Sequence, residues 1–250
     1  MRLHFEPSFT NSAELMSSMP PEQFQAVVDE ALTSRRSIRA FTAEPVDQQT
    51  ISQILEVASR APSGTNTQPW QVHVLTGDVR DKLVNAIQAV FSDPQEAAKH
   101  RAPHPYYPKD WKPHFLERRR KVGWDLYGLL GLTRENKAGM HAQHARNYQF
   151  FDAPVGLIFT IDKSLEIGSW LDYGMFLQAV MTAARGHGLD TCPQAAFTQF
   201  HQIIASELDL DEDETVVCGM ALGYADDDAI ENSLQTERAP VAKFATFRGF

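Results

Sequence analysis

Three arginines, Arg35, Arg36 and Arg39, fall within five residues in the stretch TSRRSIRAFTAEPV (33–46), and Ser37 sits among them. A guanidinium is planar, carries forked donors that match phosphate or carboxylate, and stays charged at any physiological pH. In an extended segment, side chains two apart point the same way, so Arg35, Ser37 and Arg39 would form one row of cation, hydroxyl and cation. The competing reading is a solvated helix end, where Arg35 and Arg36 complement the macrodipole. Spacing alone does not choose between them. A second stretch tips the balance toward a ligand. APSGTNTQPW (61–70) puts Pro62, Ser63, Gly64, Thr65 and Asn66 in a row. Such a turn is rich in backbone donors and short side-chain hydrogen-bonders, more than a plain turn needs.

Those stretches need elements to hold them. The segment 20–36 has Phe24, Val27, Val28, Ala31 and Leu32 at helical spacing, with two prolines where a first turn tolerates them. Asp47 is a natural N-cap for a helix over 48–61 that aligns Ile51, Ile54, Leu55 and Ala58. QVHVLT (71–76) alternates as a short strand, and 78–91 is helical again. Residues 92–148 make a long polar, aromatic and proline-punctuated excursion with at least two helices, of the kind a compact domain carries as a lid or an interface. APVGLIFTID (153–162) and VVCGMALGYA (216–225) read as core strands, the first covered on both faces. The stretch 169–191 reads as a buried helix with Leu171, Met175, Ala179 and Ala183 along one side. The tail, 232–250, has no helical period and is expected to lie along a partner subunit. Few strands, buried helices and an extended tail predict an α+β protein.

With 43% hydrophobic residues in 250, the chain is long enough for one core plus an excursion. Its formal charge of -9 excludes broad nucleic-acid or anionic-membrane binding. No apolar run approaches the roughly 18 residues of a membrane span, and the N-terminus lacks the pattern of an export signal. The expected location is therefore the cytoplasm. Two cysteines, Cys192 and Cys218, are too few for a disulfide framework.

Other conspicuous residues have plainer readings. Cys192 with His187 or His201 as base lacks a nucleophile motif. His100 and His104 at i, i+4 and His141 and His144 at i, i+3 come without HExxH or carboxylate companions, so no metal site is expected. ERRRK (117–121) suits an acidic substrate or the 2'-phosphate of NADPH, but reads first as the solvated face of a helix whose Phe115, Leu116, Val122 and Leu126 pack inward. Tyr106, Tyr107, Trp111, Trp124 and Tyr127 divide between lid core and substrate wall.

RRSIRAF (35–41), the short helix after it and APSGTNTQPW together resemble the flavin-dependent nitroreductase family. DTCPQAAF (190–197) and TERAPV (236–241) fall where that family has its later flavin contacts. The excursion, with RRRKVGWDLYGLLGL and ARNYQFFDAPVGLI, resembles the branch acting on nitroaromatics such as nitrobenzoates and dinitroanilines. The resemblance implies a three-layer α-β-α fold with a central mixed sheet, a single domain over 1–250, and an intertwined homodimer. Two FMN sites would then lie at the subunit interface.

Carried over by position, Arg35 and Ser37, with Arg36 beside them, would hold the FMN phosphate, and Arg238 would be a second phosphate ligand. Arg39 would sit near the N1/C2 edge of the ring, where it would stabilise the negative charge that develops when a hydride arrives. Pro62, Ser63, Gly64 and Asn66 would come from the partner subunit. Pro193, Gln194, Ala195 and Ala196 would line a ring face and offer backbone N–H groups to flavin N5 and O4. Gln149, with Arg146 or Asn147 sharing the role, would meet the uracil edge. Ala195-Ala196 replaces the Glu-Gly of many members, which implies a roomier, less polar site. Thr236 stands where some members have lysine. The activity implied is NAD(P)H-driven, two-electron ping-pong reduction of aromatic nitro groups, with no catalytic side chain assigned. The same fold would also suit a quinone, enone or dehalogenating reductase, or a flavin-binding protein without turnover.

Overall fold

A computed structural model describes residues 19–250; the N-terminal stretch read above for an export signal lies outside that range. In chain order the elements are α1 (Pro21–Thr33), α2 (Gln48–Ala58), β1 (Gln71–Leu75), α3 (Gly77–Phe91), α4 (Pro94–Ala97), α5 (Pro113–Leu129), α6 (Lys137–Ala145), β2 (Val155–Asp162), α7 (Ile167–Gly186), β3 (Asp190–Gln194), α8 (His201–Glu207) and β4 (Glu214–Gly223). Asp47 caps α2 as its type and place predict, accepting the Thr50 N–H at 2.8 Å.

The four strands form one sheet in the order β1-β2-β4-β3, and every pair is antiparallel. Its parallel element is an isolated bridge between Ser37 and Thr191, which adds the arginine segment to the β3 edge. Successive side chains of a strand face opposite sides, so β2 and β4 feed two cores. Ile158, Val216 and Ala221 join Leu83 and Ile87 of α3 and Ile204 of α8 on one side. On the other, Leu157, Phe159, Met220 and Leu222 meet Ile51 and Ile54 of α2 and Tyr173, Phe176 and Val180 of α7. The result is three layers of helix, sheet and helix. Burial of each such side chain contributes about 1.5–3 kcal/mol. Covering on both faces explains why β2 is apolar almost throughout although its pairing is antiparallel.

Two glycines let aromatic rings lie directly on the sheet. A Cβ at Gly156 would come within 2.5 Å of Phe150, and one at Gly219 within 2.3 Å of Phe197. The two rings stack on each other at 4.5 Å. Both belong to irregular segments, 146–152 and 195–200, so this packing fixes those turns against the sheet.

Three expectations need correction. Helix α7 is not buried along Leu171 and Met175: its buried row is Asp172, Tyr173, Phe176, Val180, Met181 and Ala184. Ile167 and Leu171 are 85% and 71% exposed. An almost uniformly apolar helix gives periodicity nothing to choose by, and one of its apolar faces lies outside this chain's own core. Helix α1 repeats the pattern, with Phe24, Val27, Val28 and Leu32 all exposed. In α5, Glu117 to Lys121 are exposed as expected, but no residue of that helix is buried and Phe115 is exposed, so its apolar side is only half covered.

Candidate functional site: an arginine-lined cavity joined to an aromatic one

The segment after α1 is extended, and its alternation is visible in burial. Ile38 and Ala40 turn into the protein, whereas Arg35, Ser37 and Arg39 turn the other way. The Ile38 N–H donates to Thr191 O at 3.1 Å, which anchors the segment to β3. Arg35, Arg36, Ser37 and Arg39 line one cavity of about 680 Å3 together with Arg185, Thr236 and Arg238. The row and the tail arginine, two hundred residues apart in sequence, thus meet.

Four of these guanidiniums form no ion pair: among the described residues, no carboxylate lies within ion-pairing reach of Arg35, Arg36, Arg39 or Arg238. In a chain of charge -9, such a concentration of unopposed cations is what an anion needs. The arginines are also differently held. Arg36 donates to Asn232 O at 2.7 Å, Arg39 to Ser37 O at 3.0 Å, and Arg238 curls back on Thr236.

Sequence reasoning missed the residue that ties this segment down. Asn232 is buried; its side-chain oxygen accepts the Arg39 N–H at 2.7 Å, while its amide donates to Ala40 O and Asp226 O at 2.8 and 2.9 Å. One asparagine therefore ties the arginine segment to the start of the tail. Nothing in its neighbourhood in sequence marks it. The adjacent Glu231 is also buried and pairs with Arg146. Arg146 is thereby engaged in holding structure, with Asp152 as its second partner at 3.0 Å.

A second cavity, about 740 Å3, is lined by Pro193, Gln194, Ala195, Ala196, Asn147 and Tyr148 on one side and by His104, Tyr106 and Tyr107 of the excursion on the other. Strand β3 links the two cavities: Thr191 pairs with Ser37 at one, and Gln194 lines the other. Three strand residues span about 10 Å. The Gln194 amide donates to Asn147 O at 2.6 Å, which closes the floor between the two turns. Thr191 Oγ1 and Gln194 Oε1 are buried and unpartnered among the described residues. Burial lowers the affinity of His104 and His144 for a proton, and neither is joined by a carboxylate at this cavity. The chamber is therefore neutral and aromatic where its neighbour is cationic.

A comparison with known proteins decides what builds such a pair. The sequence model of the nitroreductase family matches residues 32–224. The chain belongs to the nitroreductase family. Among curated proteins it is 43% identical over 229 residues to a 4-nitrobenzoate reductase of Pseudomonas putida, covering 92% of this chain and 97% of that one. It is 38% identical to a chloronitrobenzene nitroreductase of Comamonas testosteroni, covering 92% and 99%. Among solved structures, an FMN- and NADPH-dependent nitroreductase NfnB from a Sphingopyxis strain superposes with a TM-score of 0.85 at 37% identity, covering 89% of this chain and 99% of that one. The FMN-dependent NfnB of Mycobacterium smegmatis, in complex with NADPH, also gives 0.85, at 28% identity and with coverage of 90% and 99%.

In this family member the remaining candidates fall elsewhere. Pro62, Ser63, Gly64 and Asn66 line neither cavity; they form a turn in which Thr65, Asn66 and Gln68 all have positive φ. The Gly64 N–H donates to the buried Asp172 of α7 at 3.0 Å, which fixes the turn to that helix. Gln149 also lines neither cavity, whereas Asn147 does. Phe150, Phe151 and Asp152 have φ of 53, 53 and 70°, a left-handed run that upsets any count of which side chain faces where. Cys192 is buried, and burial pushes its thiol up to about 11, against the pull of nearby Arg39 and Arg35. A thiol so placed is a poor nucleophile. No cluster of metal ligands occurs among the described residues, and no described helix is long and apolar enough to cross a membrane.

Proposed function

We propose that this chain is an FMN-dependent NAD(P)H nitroreductase that acts on aromatic nitro compounds in the cytoplasm, where its reductant is found. The observation that carries the reading is the joining of an unopposed arginine cavity to a neutral aromatic one along a single strand edge. That arrangement suits a ligand with a phosphate at one end and a flat ring at the other. The names of the relatives point the same way: two curated ones reduce nitrobenzoate or chloronitrobenzene, and the NfnB structures are FMN-dependent.

Arg35, Ser37 and Arg238 would hold the phosphate, with Arg36 supporting, and Arg39 would place a fixed positive charge where the reduced ring gathers negative charge. Pro193, Gln194, Ala195 and Ala196 would line the ring, and Ala195-Ala196, with no carboxylate, leave the chamber open to bulky aromatics. When bound, FMN supplies two-electron transfer through N5, from NAD(P)H in one half-reaction and to the nitro group in the other. The first reduction balances as nitroarene plus NAD(P)H plus a proton, giving nitrosoarene, NAD(P)+ and water. Since donor and acceptor would use one chamber in turn, ping-pong kinetics are expected. No side chain is needed as an obligatory acid, because the chamber is open to water.

The working unit would be a homodimer. The exposed apolar faces of α1 and α7, together with Val241, Phe244, Phe247 and Phe250 of the tail, are surfaces a second copy would cover. The turn 62–66, held to α7 through Asp172, would then contribute Pro62, Ser63, Gly64 and Asn66 to the partner's site. Anaerobic reduction by NADPH followed by reoxidation with 4-nitrobenzoate tests the reading. Bleaching and recovery of a flavin spectrum are expected; bound flavin that NAD(P)H fails to bleach would overturn it.

A further inference from the structure

Arg185 stands apart from the other cations of the arginine cavity. It is contributed by the last turn of α7, where from sequence a basic residue reads as no more than a complement to the helix macrodipole. In the structure it lines the same cavity as Arg35, Ser37, Arg39 and Arg238. Unlike the other guanidiniums that line the cavity, Arg185 is ion-paired to a carboxylate among the described residues, and it is held at three points. Nη1 donates to Asp190 Oδ1 at 2.9 Å and to Leu189 O at 3.4 Å, and Nε donates to Ser34 Oγ at 3.3 Å. A guanidinium has five N–H donors, so the two on Nη2 are left, with no partner among the described residues.

Resting on the FMN reading above, we propose that Arg185 is a phosphate ligand of this site, held in position by Asp190 and Ser34. Three points carry it. The arginine lines the cavity, its remaining donors are unspent, and its plane is fixed before any ligand arrives. A long side chain ordinarily loses rotamer freedom when it engages an anion, and one already fixed loses less. Asp190 would spoil the site if it faced the anion directly. It does not line the cavity, and its side chain is largely buried behind Arg185, where burial holds its carboxyl above the usual range against the pull of Arg185 and Arg36. The carboxylate therefore acts as a positioning residue, acting through Arg185. Ser34, at the C-terminal end of α1, adds a second restraint and connects that helix to the anion site.

The test uses two ligands that differ only in the phosphate. Flavin-stripped full-length protein is titrated with FMN and with riboflavin, following the quenching of flavin fluorescence. In Arg185→Gln the FMN dissociation constant is expected to rise on the order of tenfold to a hundredfold, while the riboflavin constant moves less than about twofold. Asp190→Asn should produce a smaller rise, again for FMN alone, and Arg185→Lys should restore part of the loss. Unchanged FMN affinity in Arg185→Gln would overturn the proposal. So would an equal loss for both ligands, which marks a structural role only. Should the unsubstituted protein fail to prefer FMN to riboflavin, the phosphate site itself is refuted and the assignment of Arg185 falls with it. Riboflavin binding in each variant doubles as the check that it has folded.

Discussion

The two cavities are built from opposite materials by opposite means. The first is cationic, and most of its residues come from one eight-residue segment, 32–39, clamped by Asn232 to the tail. The second is neutral and aromatic, and its walls come from turns and from an excursion with little buried surface. The contrast teaches that what recognises a common group can be contiguous and rigid, while what recognises a variable partner is assembled from the least constrained part of the chain.

The contrast can be broken in several places. The largest effect is expected for Arg35→Ala. Losing a charge-assisted phosphate contact costs about 1.5–3 kcal/mol, a rise of roughly tenfold to 150-fold in the FMN dissociation constant, with riboflavin affinity unchanged. Fluorescence titration reads both, and equal losses would erase the distinction between the cavities. Asn232→Ala should cost about 1–3 kcal/mol of stability in urea unfolding, because it strands the Arg39 N–H and two carbonyls in a buried place. It should weaken FMN as well, since the segment loses its clamp. An unaltered urea midpoint would contradict that role.

Gly219→Ala probes the other side. The new methyl meets the Phe197 ring, and overpacking of this kind costs about 1–3 kcal/mol. Because Phe197 follows Ala195-Ala196, the expected signature is a fall in kcat/KM for the nitroaromatic that exceeds any loss of FMN affinity. The smallest effect belongs to Arg119. It lies 5.0 Å from the Tyr107 ring and 5.1 Å from Trp111, an exposed cation–π pair of contacts worth about 0.5–1 kcal/mol. Arg119→Ala should raise KM for the nitroaromatic a few fold by loosening a wall of the second cavity, and leave FMN titration untouched. A change in FMN affinity instead would mean that the excursion serves the anion site.

These differences also mark what the sequence could tell. Arg35, Ser37 and Arg39 were legible because an extended segment converts a spacing of two directly into a shared face. Arg185 and Asn232 were not, since each has an ordinary local reading and what makes them matter lies far off in sequence: Ser34 and the arginine segment for Arg185, Arg39 and Ala40 for Asn232. The core strands β2 and β4 and the capped α2 were legible from local pattern, whereas the three layers were implied by the family resemblance. The facing of α7 was not legible, because apolar residues surround it and a pattern cannot separate a buried apolar row from an exposed one. Gln149 was implied by the family resemblance alone; it lines neither cavity, and the three left-handed residues after it leave its direction unreadable from pattern. The wall formed by His104, Tyr106 and Tyr107 depends on how an irregular loop folds back, which no periodicity encodes.

The most direct test of the central claim is the visible spectrum of the purified full-length protein, with the released chromophore identified. The account predicts a yellow protein carrying stoichiometric FMN. A colourless protein that takes up no added FMN would contradict it.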